Sequence, residues 1–134
     1  MPTRSAFEYA IIRVVPRVER GEFINVGVVL FCRGRRYLNA QVELDRHRLL
    51  ALAPGLDLPF VEAQLRLIPL VCVGGTAGGP IGLLPQPERF RWLAAPRSSV
   101  VQPSPVHCGT CIDPADALNL LMARMVRPAA DATS

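Results

Sequence analysis

Arg20-Gly21-Glu22-Phe23-Ile24-Asn25-Val26-Gly27-Val28-Val29-Leu30-Phe31 is a charged turn that runs straight into a nearly unbroken apolar, β-branched stretch. Such a run suits a strand covered on both faces, so a sheet with helices over it is the expected core. Asn25 and Gly27 are the two breaks. A covered amide must find hydrogen-bond partners or cost about 1–3 kcal/mol, so Asn25 is expected to pin a neighbouring loop, with ligand contact the second reading. Gly27 lets another chain segment or a ligand come close.

Outward from this strand, Phe7 to Val15 reads as a strand that Pro16 stops, and residues 16 to 22 as a charged loop. A tight turn at Gly34 leads into imperfect alternation from Arg35 to Leu44, which completes a three-stranded antiparallel meander. Asp45 is placed to cap a helix over 46–53 that Pro54-Gly55 ends, and Asp57 to cap a second over 58–68. From Pro69 to Pro87 the chain is so rich in glycine and proline that a long irregular loop is expected, its glycines centred on 74–82. A short helix over 88–95 follows, then an extended stretch from Ser98 to His107 whose prolines confine it to a sheet edge or to unpaired backbone. Asp113-Pro114 opens a last helix with an apolar stripe of Leu118, Leu121, Met122 and Met125. The fold class is therefore α+β, an antiparallel sheet of three to four strands packed against helices. One globular domain is expected over residues 1–127 and a disordered tail over 128–134.

All 15 basic residues are arginine. Without lysine there is no Schiff base, no P-loop lysine and no serine–lysine acylation. The net charge of +4 permits an anionic partner without locating one. Arg33, Arg35 and Arg36 cluster at the Gly34 turn, but stacking aromatics are scarce there, so nucleic acid is a weak expectation. No apolar run reaches membrane-spanning length and no signal-peptide pattern opens the chain, which places it in the cytoplasm.

Cys108 and Cys111 form a C-x-x-C, yet both precede the helix cap at Asp113, and no second cysteine pair exists to complete a zinc set. With two histidines, His47 and His107, a histidine metal cluster is not expected, and neither a metal nor a cofactor is assigned. A thiol nucleophile using His107 as base is poorly placed, since adjacent residues on extended backbone point to opposite sides.

The blocks Tyr9 to Pro16, Arg20 to Phe31, Gly79 to Gly82 and Arg89 to His107 together resemble the bacterial family called domain of unknown function 3037. The resemblance runs from Tyr9 into the last helix. It implies no reaction or cofactor; it implies a partner, because genes of that family often stand beside those of HipA-like kinases. Carried across position by position, the marked residues are Arg20, Gly21, Glu22, Asn25, Gly27, Arg91, Trp92, Pro96, Arg97, Ser98, Gln102, Ser104 and His107. Cys111 fits the pattern, whereas Cys108 stands where a serine or threonine is usual.

Three readings follow. The first is a binding or adaptor module that docks a protein partner such as a HipA-like kinase through the proline-rich segment from Arg91 to His107, by strand addition. The second is an enzyme acting on a phosphate or carboxylate compound, with Arg20, Arg91 or Arg97 gripping the anion and Glu22 or His107 moving a proton. Nucleic-acid binding comes third. If the segment from Ser98 to His107 lies beside the strand that carries Asn25, the two motif blocks meet on one surface, as a single pocket or interface.

Overall fold

The structure is a computed structural model, and it describes residues 3 to 128. It contains one five-stranded sheet, all of whose pairings are antiparallel. The strands are β1 (Ser5–Val14), β2 (Ile24–Cys32), β3 (Tyr37–Val42), β4 (Val101–Pro103) and β5 (His107–Cys111). β1, β2 and β3 make the expected meander. β4 and β5 both pair with β1, on the side away from β2. The sheet therefore has five strands where three to four are expected: His107–Cys111 carries no β-branched alternation that would announce a strand, and it is recruited by the register of β1.

β2 is buried along almost its whole length because both of its faces are covered. Over one face lie α1 (Arg46–Leu52), α2 (Leu58–Val73) and α4 (Gln86–Ala94), whose Leu49, Val61, Leu65, Phe90 and Leu93 pack on Ala10, Ile12, Val26, Val29 and Phe31. Over the other lies α5 (Pro114–Leu121), which runs into a π-helical turn over Met122–Val126; there Leu118, Met122 and Val126 meet Phe7, Ile11, Val28 and Leu30. Of the expected apolar stripe, Leu118 and Met122 are buried and Met125 is exposed.

The caps fall where the residue types place them. The Asp45 carboxylate accepts from the Arg48 N–H, Asp57 from Phe60 and Asp113 from Ala115. Gly27 lies flat under β3, where an added Cβ would stand 2.5 Å from the Gln41 carbonyl oxygen. The close approach this glycine permits is thus to another strand. At the β2–β3 turn the left-handed position falls on Arg36, at φ 49°, and not on Gly34.

Two expectations fail between residues 69 and 87. α2 does not stop at Ile68 but continues through Pro69 to Val73, and the glycine-rich stretch forms a 3-10 turn over Thr76–Gly78 and a short helix α3 (Gly79–Gly82). A proline inside a helix loses a hydrogen bond and crowds the preceding turn, so something must hold the last turn of α2 in place. Val71 and Cys72 are buried there, and Arg89 of α4 donates to the carbonyls of Val71, Cys72 and Leu84, closing the helix end with a cation. Gly75 donates to Gly82 across the turn, where a side chain at Gly82 would strike the Gly75 carbonyl. Gly78 and Gly82 are there for packing, whereas Gly74, Gly75 and Gly79 hold the positive φ that the turn needs.

The expected tail from residue 128 falls, apart from Pro128 itself, outside the described residues.

Candidate functional site

The segment from Ser98 to His107 does not lie beside β2. β1 comes between them, with Arg13 paired to Asn25 on one side and to Gln102 on the other. This corrects the expected contact of the two motif blocks. What the sheet makes instead is a row, Asn25–Arg13–Gln102, three polar residues abreast across β2, β1 and β4.

Each residue of that row is held differently. Gln102 reaches back along its own segment and donates to the Ser99 carbonyl at 2.7 Å. The guanidinium of Arg13 stacks on the Phe23 ring, 4.1 Å from its centroid, and its buried Nε has no partner. Asn25 donates through Nδ2 to the Met125 carbonyl at 2.9 Å, which pins the π-helical turn to the start of β2, while its buried Oδ1 accepts nothing. The expectation that Asn25 fixes backbone from a neighbouring segment is met; only half of the amide is used for it. Beside this row the sheet is bulged, since Ile12 faces Gly27 and Arg13 faces Asn25, leaving Val26 as the extra residue.

Phe23, Asn25, Arg48, Met125 and Arg127 line a hollow of about 360 Å³ at this corner. Arg127 already grips Glu43 through Nε and Nη2, at 2.8 to 3.1 Å, and its guanidinium holds the Glu43 carboxyl below the usual carboxylate range. Arg13 is the residue that reading the sequence for chemistry passes over. It stands among apolar neighbours in Ala10-Ile11-Ile12-Arg13-Val14-Val15, and a charge at a strand position in such a run is the signal that would have found it.

The remaining candidates spread over three other hollows. Arg20 and Glu22 line one of about 460 Å³ between the loops that follow β1 and α1, together with Arg17 and Asp57. The two form an ion pair, and the hydrogen bond from Arg20 lowers the Glu22 pKa. Arg91 lies in a second, with Glu8, Arg33 and Phe90. Trp92, Arg97 and Gln102 edge a third, an apolar groove of about 330 Å³ between α2 and β4, floored by Ile12, Val29, Ile68 and Leu93. Here Arg97 lies over the indole at 4.7 Å and donates to the Trp92 and Ala95 carbonyls, and burial lowers its pKa. Ser98 is exposed at the turn before β4.

Ser104 is buried, 2 % exposed, and its bonds close within the chain. Its hydroxyl accepts from the Ile11 N–H at 2.8 Å and donates to the Pro105 carbonyl at 2.9 Å, while its own N–H donates to the Ile11 carbonyl at 2.7 Å. It splices the gap between β4 and β5. His107 pairs with Tyr9 at the far end of β1, its ring 5.4 Å from the tyrosine ring. Glu22 precedes Ile24, which pairs with Val14. Roughly 17 Å of strand therefore separates the levels of His107 and Glu22, at about 3.3 Å per residue, too far for one substrate proton to pass between them.

Cys108 and Cys111 lie three apart on β5, so their side chains leave opposite faces of the sheet. Cys108 is exposed; Cys111 is buried, and burial with the neighbouring Cys32 thiol raises its pKa. Burial likewise pushes Cys72 up to about 12. None of this makes an activated thiolate. Among the described residues no three histidine, cysteine or acidic side chains gather as a metal set, and no helix is long and apolar enough to cross a membrane.

A family model described as protein of unknown function (DUF3037) matches residues 9–126. The chain belongs to the DUF3037 family. No curated protein and no solved structure matches it. The DUF3037 match thus spans every strand except the first residues of β1.

Proposed function

We propose that this DUF3037 protein is a small binding or adaptor module of the bacterial cytoplasm, which docks a protein partner in the groove between α2 and β4. The observation that carries the reading is the groove itself. Its floor is apolar, Trp92 stands 39 % exposed on its rim, Leu67 is half exposed opposite, and Arg97 is its one charge. Exposed Trp and Arg around a dry floor are the residue types that dominate protein interfaces.

The partner enters by side chains, not by strand addition. Val15 donates to the Val100 carbonyl and Ser104 to that of Ile11, so alternation turns Val101 and Pro103 outward on β4. Pro103 has no N–H, and the Ser99 hydroxyl already occupies the Val101 carbonyl. Such an edge offers little to a new strand. A segment with one bulky apolar residue next to a carboxylate suits the groove, the carboxylate meeting Arg97.

A HipA-like kinase is the first partner to try. Calorimetry with the purified kinase is expected to give a one-to-one complex, weakened by at least about 2 kcal/mol in Trp92→Ala. No complex at micromolar concentration would dismiss that partner, and an unchanged affinity in Trp92→Ala would move the docking surface elsewhere. The alternative, an enzyme working on an anionic substrate, has less support, because Glu22 is engaged by Arg20 and His107 stands at the other end of β1.

A further inference from the structure

We propose that the groove between α2 and β4 receives the C-terminal end of a partner chain, with a bulky apolar last residue on its floor and the main-chain carboxylate on Arg97; this rests on the docking reading above and says which part of the partner enters. Arg97 is set in place before anything binds. Its Nε donates to the Ala95 carbonyl at 3.3 Å and its Nη2 to that of Trp92, while its planar head lies over the indole. Two of its five N–H groups are used in this way, and one on each terminal nitrogen is left, the parallel pair that grips a carboxylate end-on.

Neutral carbonyls orient this cation without balancing it. No carboxylate lines the groove, and among the described residues Arg97 has no ion-pair partner. Burial against apolar walls lowers its pKa, so the charge is held there at a cost that a bound anion would remove. The floor of Ile12, Val29, Ile68 and Leu93, in a groove of about 330 Å³, has room for the side chain of a leucine or a phenylalanine.

The edge of β4 is what selects a chain end. Pro103 has no N–H and the Val101 carbonyl is taken by the Ser99 hydroxyl, so a segment that ran through the groove would lay backbone on both sides of its anchor along an edge that cannot pair with it. A chain end brings backbone from one side only. The rim holds one acceptor for it, Gln102 Oε1, because the Nε2 of that amide is fixed on the Ser99 carbonyl. One acceptor and one cation match the N–H and the carboxylate of a last residue. That carboxylate also leaves the same Cα as the apolar side chain, which suits a guanidinium lying 4.7 Å over the indole at the edge of the apolar floor.

Trp92 is the only tryptophan of the chain, so its emission reports on the groove without a label. The full chain is titrated with N-acetyl-alanyl-alanyl-leucine, with the same peptide as its C-terminal amide, and with N-acetyl-alanyl-leucyl-aspartyl-alanine amide, which carries its carboxylate inside the chain. The free acid is expected to shift the emission saturably, and the other two to bind at least about tenfold more weakly. Leu67→Ser, on the exposed rim, should weaken the free acid with an unchanged melting temperature, while Arg66→Gln, outside the groove, leaves binding as it is. Arg97→Gln should erase the preference for acid over amide; because Arg97 also caps α4, its melt is recorded alongside. Equal binding of acid and amide, or an internal aspartate as good as the chain end, overturns the proposal and leaves docking in the groove standing. An equal loss in Arg66→Gln overturns it too, by reducing the effect to the general attraction of a basic surface. So does an emission unmoved by the free acid at millimolar concentration, and the docking reading is then still judged by Trp92→Ala in the kinase complex.

Discussion

Ser104 and Asn25 are both polar side chains set into the sheet next to β1, one at each flank of the strand. The serine spends its hydroxyl completely, accepting from Ile11 and donating to Pro105, and so replaces the ladder bonds that β4 and β5 leave out between them. The asparagine spends half of its amide on Met125 and keeps an oxygen buried and unpaired. A buried polar group whose valences all close inside the chain belongs to the fold. One with a valence left over, beside an arginine in the same condition, is an unmet polar group that the fold carries. Both residues stand in the family's motif blocks, so membership of a motif does not separate the two roles; the hydrogen-bond account does.

The largest effect is expected on the closed side. Ser104→Ala leaves the Ile11 N–H buried without an acceptor, and stability should fall by about 1–3 kcal/mol, read from the midpoint of urea unfolding at constant slope. A change within error would show that the splice between β4 and β5 is not held by this hydroxyl. On the open side the expectation differs in kind. Asn25→Ala removes one hydrogen bond but also removes an acceptor that is already unsatisfied, so the two terms offset and the midpoint should move by less than about 1 kcal/mol. A large destabilisation from Asn25→Ala would place this residue with Ser104 and erase the contrast.

The sequence shows the closed side better than the open one. The buried strand at 24–32, the meander built on it and the three aspartate caps all rest on local patterns, hydrophobic continuity and an oxygen before a helix, and these need no distant partner. The passage of α2 through Pro69 is illegible because Arg89, seventeen or more positions away in the chain, secures the terminal carbonyls of the helix beyond the proline. β5 is illegible because its residues are weak strand formers held by the register of β1. The site is split in the same way. Asn25 announces itself as an amide in an apolar run, but its neighbours Arg13 and Arg48 come from other elements, and only the pairing of Arg13 with Asn25 across the sheet brings charge to the amide. The motif residues gather in several hollows because a motif records order along the chain, while β1 stands between the two blocks in space.

Acid gives the mildest test of the same contrast, since it acts on the open side alone. Glu43 ties Arg127, and with it the end of the π turn, to the strand end next to β2. Its pKa is lowered in the fold by the hydrogen bond from Arg127, so the pair stabilises the protein above the ordinary glutamate range, near pH 4.3, and that contribution is lost as pH falls through the lower folded value. Both side chains are substantially exposed, so the change is small and salt weakens it. Glu43→Gln should therefore melt slightly below the wild type at pH 7 and converge with it as the pH drops below about 4.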